Sequence, residues 1–87
     1  MYRVLLMKDA QHFYANAQPP LARKLARCFQ QLEQTPRGHS NIKALSGELN
    51  GYLRYRVGDY RVLYSIDEKK STVSIEKITH RSDAYKD

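Results

Sequence analysis

The sequence predicts an α+β fold: one small domain over residues 1–87, ordered β-α-α-β-β-β, with a mainly antiparallel sheet and a helical hairpin on one face. Three observations predict it. Apolar residues recur every three to four positions between Ala10 and Leu32, and from Tyr52 onward the period becomes two. Proline, glycine and aspartate fall between these periodic stretches, at Pro19-Pro20, Gly58-Asp59 and Asp67. Strands gathered after the helices, rather than alternating with them, give helices segregated to one side of a sheet.

Residues 2–7, YRVLLM, form a short apolar run ending at Lys8-Asp9 and read as the first strand. Asp9 is the expected cap of the first helix, its carboxylate accepting a first-turn N–H. Ala10, Phe13, Tyr14 and Ala17 supply that helix's apolar side, and Pro19-Pro20 closes it and opens the next. In the second helix Leu21, Leu25, Cys28, Phe29 and Leu32 make one stripe, with Arg23, Lys24, Arg27, Gln30 and Gln31 facing away. Thr35-Pro36 and Gly38 stop it. Residues 37–51 are polar and read as a connecting segment anchored by Ile42, Ala44 or Leu45, and Leu49. Two strands flank a Gly58-Asp59 hairpin turn, a longer turn covers residues 67–70, and a last strand covers about 71–78. The tail from Thr79 is too short for a full helix.

A chain of 87 residues buries only about 60–65% of the surface its unfolded form exposes. The core is thin, no cofactor is expected, and a surface or shallow groove is the natural place for function. The net charge of +6 favours polyanionic partners, nucleic acid before acidic protein or anionic lipid. A single cysteine, Cys28, excludes an internal disulfide or cysteine-built metal site, and its apolar position reads as core. The opening MYRVLLMKDA lacks a secretory h-region, and no segment approaches the roughly 18 apolar residues of a membrane span. A cytoplasmic protein without membrane association is expected.

Centring the hairpin on Gly58-Asp59 pairs Val57 with Tyr60, Arg56 with Arg61, Tyr55 with Val62 and Arg54 with Leu63. Alternation then places Leu53, Tyr55, Val57, Tyr60, Val62, Tyr64 and Ile66 on the core face. Closing the second turn with Ile66 opposite Ser71 adds Val73 and Ile75. The other face receives Arg54, Arg56, Arg61, Leu63, Ser65, Ser74 and Glu76, and continued alternation brings His80 there, with Arg81 beside it. Arg56 opposite Arg61 is a repulsive pair, destabilising by about 0.2–1 kcal/mol. Two readings stand for this face. It is a solvated arginine surface with Glu76 as neutralising neighbour, or a phosphate site in which a bound anion relieves the repulsion. Guanidinium forks suit the second, because they hold phosphate oxygens with paired hydrogen bonds.

The run LSGELNGYLRYRVGDYRVLYSID, with HRSDAY near the end, resembles the RelE/ParE toxin superfamily, and its RelE-type branch more closely. The RxGDYRxxY core is the most recognisable segment, and the β-α-α-β-β-β order agrees with a RelE-like fold over the whole chain. The resemblance implies the toxin of a bacterial type II toxin–antitoxin module: a ribosome-dependent mRNA endonuclease that inhibits translation. ParE-type relatives keep the fold and poison DNA gyrase instead, which is the alternative.

The resemblance assigns Arg61 to the scissile phosphate, Arg54 to a position often held by a catalytic lysine or arginine, Arg81 to the basic residue ending the last strand, and Tyr85 to the family's C-terminal tyrosine. Tyr52 departs from the pattern, standing where such nucleases can carry a second lysine. The implied chemistry is attack of the RNA 2′-OH on the adjacent phosphate, without a metal. Arg54 stays protonated and cannot be the base. His80 is the neutral-range titrator near the cluster, either a proton acceptor or a solvated strand-end histidine. Tyr85 stacks on a base, orients the phosphate, or packs as an anchor. Arg56, Lys43 and Lys77 are candidate RNA contacts. The implied partners are a cognate antitoxin, the ribosome with its mRNA, and operator DNA reached through the antitoxin.

Overall fold

A computed structural model describes residues 1–83. Strand β1 (Arg3–Leu6) leads into helices α1 (Lys8–Ala15) and α2 (Pro19–Gln34). Strands β2 (Ile42–Ala44), β3 (Leu53–Val57), β4 (Tyr60–Asp67) and β5 (Thr72–His80) follow, with one-turn 3₁₀ segments at Gly47–Leu49 and Arg81–Asp83. The sheet runs β1-β5-β4-β3-β2, with β1 parallel to β5 and every other pair antiparallel. Among the described residues, no helix is long and apolar enough to cross a membrane.

Two boundaries differ from the sequence expectation. Met7, not Asp9, is the N-cap of α1, and it makes no side-chain cap bond. Asp9 sits in the first turn, where its carboxylate meets the helix's positive end. The 37–51 connection contains β2, a fifth strand of three residues paired with Leu53–Tyr55. A strand that short carries too little alternation to register as a period.

Both helices pack on one face of the sheet. Ala10, Leu25, Cys28 and Leu32 meet Leu53, Tyr55, Val57, Val62, Tyr64, Val73, Ile75 and Ile78 in a single core. Cys28 is the small core residue its place in the stripe suggested, and burial pushes its thiol up to about 12. Tyr64 is fully buried and its hydroxyl donates to the Pro36 carbonyl at 2.7 Å, tying the end of α2 to the sheet. Burial holds that phenol protonated across the working pH range. Tyr64→Phe strands the Pro36 carbonyl and should cost about 1 kcal/mol. Thermal melts should show a fall of about 4–8 °C.

The β3–β4 register is the expected one, from Val57↔Tyr60 to Arg54↔Leu63. The second turn closes differently: Ile66 faces Val73 and Asp67 faces Thr72, rather than Ile66 facing Ser71. The loop comprises residues 68–71, because Asp67 Oδ1 accepts the Lys70 N–H and Ser71 takes the left-handed conformation at φ 48°. The slip is by an even number, so Val73 and Ile75 keep their core places.

A second departure has larger consequences. Leu63 pairs with Lys77 while Tyr64 pairs with Ile75, so Glu76 is an extra residue forming a β-bulge. Beyond it the alternation of β5 is inverted. Ile78 enters the core opposite Val62, and His80 lies opposite Tyr60 on the helix-covered side.

A surface cluster joins distant segments. Glu68 accepts the Tyr2 hydroxyl at 2.7 Å and the Arg37 Nε–H at 3.1 Å. The Tyr2 bond, then the Arg37 bond, holds the Glu68 carboxyl below its usual range. A carboxyl depressed in the folded state adds stability that is present above the unfolded value and lost as pH falls through the folded one. Urea titrations between pH 7 and pH 3 should therefore show a steeper loss of stability for the native chain than for Glu68→Gln. Both partners face solvent, so the difference is small.

Candidate nucleic-acid interface

The face of the sheet opposite the helices carries the positive charge. One register row reads Lys43–Arg54–Leu63–Lys77 across β2, β3, β4 and β5, and the next reads Arg56–Arg61–Thr79. With strands about 4.8 Å apart, the first row spans about 14 Å. Two like-charged cross-strand pairs therefore occupy this face, Lys43↔Arg54 and Arg56↔Arg61. Each opposes pairing by a few tenths of a kcal/mol or more (about 0.2–1). Thr79 adds a buried hydroxyl without a hydrogen-bond partner among the described residues, a second local cost in the same row. Glu76, the expected neutralising neighbour, forms no ion pair among the described residues.

The hairpin turn organises the cations. Gly58, at φ 57°, takes the left-handed conformation that a tight turn requires and that glycine adopts without strain. Arg61 NH1 donates to the Gly58 carbonyl at 3.2 Å and to its neighbour, the Tyr60 carbonyl, at 3.1 Å. Arg81 follows β5 directly. Its backbone N–H donates to the Asp59 carbonyl at 2.6 Å, and its Nε lies 3.7 Å from the Asp59 carboxylate. That ion pair is about two-thirds exposed on each side and contributes little by itself. Arg54 NH1 donates to the Asn41 carbonyl at 2.8 Å, which steadies the guanidinium beside the sheet edge. A backbone carbonyl in a connecting loop leaves no sequence signal, so Asn41 was not legible beforehand.

The structure thus gathers Arg54, Arg56, Arg61, Lys43 and Lys77 on one face and sets Arg81 at its hairpin end. His80 is not with them. Its ring meets Tyr60 edge-on at 5.2 Å, and Tyr60 in turn meets Phe13 at 5.7 Å. His80 Nδ1 accepts the Ser82 N–H at 3.2 Å and lies 2.8 Å from the Ser82 hydroxyl, which assigns the neutral ring's proton to Nε2. Alternation without a bulge had placed it among the arginines; Glu76 sends it to the other side. Tyr85 lies outside the described residues.

Chemically, the arrangement offers forked donors at the height of a sheet surface. It has no neutral-range base among the described residues of that face. It can hold and polarise a phosphate.

A family model described as "ParE toxin of type II toxin-antitoxin system, parDE" matches residues 7–85. The chain is a toxin of the RelE/ParE superfamily. Toxin RelG of Mycobacterium tuberculosis (strain ATCC 25618 / H37Rv) is 46% identical to this toxin over 44 residues, 51% of each chain. That match spans about half the length of the relative. A chain of the RelBE2 toxin–antitoxin complex of Mycobacterium tuberculosis superposes with a TM-score of 0.80 at 30% identity, over 92% of this toxin and 98% of its own length. The archaeal RelE–RelB complex of Pyrococcus horikoshii OT3 gives 0.81 at 28% identity, over 95% and 98%. The isolated E. coli RelE toxin, 16% identical with a TM-score of 0.78 over 100% of this toxin and 88% of that chain, shares the fold.

Proposed function

We propose that this toxin is a ribosome-dependent mRNA endonuclease whose open sheet face holds the scissile phosphate. The observation that carries the reading is the Arg56↔Arg61 pair on the open face, flanking the hairpin turn whose Asp59 pairs with Arg81. Such a pair is a liability in the free protein and an asset once an anion lies between the guanidinium groups.

The RNA supplies its own nucleophile. The 2′-oxygen attacks the adjacent phosphorus, the bond to the 5′-oxygen breaks, and the products are a 2′,3′-cyclic phosphate and a 5′-hydroxyl end. Arg61, with Arg56 and Arg81, donates to the nonbridging oxygens as charge grows on the five-coordinate phosphorus. Arg54 stabilises developing negative charge on the attacking oxygen as a fixed cation. Lys43 and Lys77, at the ends of the Arg54 row, bind flanking phosphates. Tyr85 is the proposed contact with the bound RNA, stacking on a base or orienting the phosphate. His80, turned against Tyr60, is dropped as the base, and the 2′-OH proton passes to solvent while the 5′-oxygen regains one from water. The chemistry thus leans on alignment of the 2′-oxygen and on charge stabilisation, with little proton transfer by side chains.

A cognate antitoxin is the proposed partner, with the ribosome and mRNA as the target, operator DNA reached through the antitoxin, and the cytoplasm as the place of action. Two of the relatives of known structure come from RelE–RelB and RelBE2 complexes, which supports the first of these. Inducing the toxin and mapping transcript ends tests the activity. Cuts inside translated codons are expected, and intact transcripts during growth arrest would end this reading. The description of the matching family as ParE favours one alternative, inhibition of DNA gyrase by protein binding. It predicts gyrase-linked DNA breaks and a pull-down of gyrase, with translation unaffected.

A further inference from the structure

We propose a second phosphate-binding subsite, on the helix side of the β3 edge, that takes the RNA backbone where it leaves the arginine face. Strand β2 pairs with β3 only as far as Tyr55, the Asn41 carbonyl accepts the Arg56 N–H at 3.0 Å, and there the edge at Arg56–Gly58 borders a depression of about 220 Å³ that α2 lines on its other side. Lys24 and Arg27, one turn apart on α2, stand on one wall, with Arg56 and Gly58 on the other and Cys28 and Asn41 also lining it. Its volume is below the roughly 300 Å³ at which small-molecule pockets begin, so it suits a single anionic group.

Three features point to an anion. Lys24, Arg27 and Arg56 are all exposed, and among the described residues none of them pairs with a carboxylate. Among the described residues, no acidic side chain lines the depression. Arg56 belongs to both places: it faces Arg61 across the hairpin and it borders this depression. A strand of RNA with one phosphate over Arg56 and Arg61 can therefore set a neighbouring phosphate against Lys24 and Arg27 by turning over the sheet edge. The occupant is the sugar–phosphate backbone of single-stranded RNA, because Arg56 is shared between the cationic face and this depression.

The inference rests on the nuclease reading for its RNA, but its test does not require cutting. The intact toxin is titrated with a fluorescein-labelled twelve-nucleotide RNA at several salt concentrations, and log affinity is plotted against log salt. Each phosphate contact to a single strand adds about 0.7 to the slope. The double variant Lys24→Gln/Arg27→Gln removes the hold on that one phosphate and should lower the magnitude of the slope by about 0.7. The control Lys69→Gln/Lys70→Gln, on the far β4–β5 turn, removes equal charge and should leave the slope unchanged. An unchanged slope in the first variant overturns the subsite, and so does an equal fall in both, which would reflect net charge alone. A variant that keeps the RNA slope but no longer captures the cognate antitoxin overturns it too, and gives the depression to an acidic protein. If the double variant lowers the slope and the control does not, yet the native toxin cuts no transcripts, the nuclease reading fails and the subsite stands.

Discussion

Arg61→Ala should slow transcript cutting by about a hundredfold or more while the protein stays folded. The effect follows from geometry on the uncovered face, where Arg61 opposes Arg56 and reaches the hairpin turn whose Asp59 pairs with Arg81. Losing one preorganised donor to a transition-state oxyanion costs about 10²–10³ in rate, roughly 3–4 kcal/mol. Among the described residues the guanidinium donates to the carbonyls of Gly58 and Tyr60 in an accessible turn, so its loss should lower stability by no more than about 1 kcal/mol. Arg61→Lys keeps the charge but not the fork, and should recover only a small part of the rate. Primer-extension mapping of transcript ends, with thermal melts of the purified variants, separates these effects. Full cutting by Arg61→Ala would remove the arginine from the chemistry.

The largest stability effect is expected at the centre of α2. Leu25 is fully buried where the helix meets the sheet, so Leu25→Ala removes apolar contact and leaves a cavity in a thin core. Comparable substitutions cost about 2.7–5 kcal/mol, against a total of about 5–15 for a small domain. The urea midpoint should fall by a large fraction of its value. Leu5 provides the contrast: it lies on the open face of β1 at 41% exposure, and Leu5→Ala should change the midpoint little. Equal losses at the two sites would mean that the open face is covered in solution.

Much of this was legible in the residues. The stripe Leu21–Leu32 and the prolines before it gave α2, and Gly58-Asp59 gave the hairpin with its register, hence the convergence of Arg54, Arg56 and Arg61. The misplaced element was the end of β5, and its signal was present. Ile75 and Ile78 are three apart, whereas strict alternation would bury Lys77 and expose Ile78. A lysine due for the core next to an isoleucine due for solvent is what a one-residue insertion looks like in sequence. Strand β2 and the Asn41 carbonyl were invisible for a different reason. A three-residue edge strand and a main-chain acceptor are set by what the neighbouring strand offers, not by local side-chain chemistry.

The parallel pairing of β1 with β5 sets an order of events in time. Arg3 finds its partner at Thr72, nearly the whole chain away, whereas Arg56 finds Arg61 across a two-residue turn. Local closures come early and distant ones late, because the entropy of closing a long loop is lost before any contact repays it. The arginine hairpin can therefore form while β1 and the last strand are still apart. Lys77, Thr79 and Arg81 join it only when β5 docks. A chain halted before that step would carry the hairpin's cations without a finished sheet to hold them, so the face assembles in two stages and its reactive geometry arrives with the second.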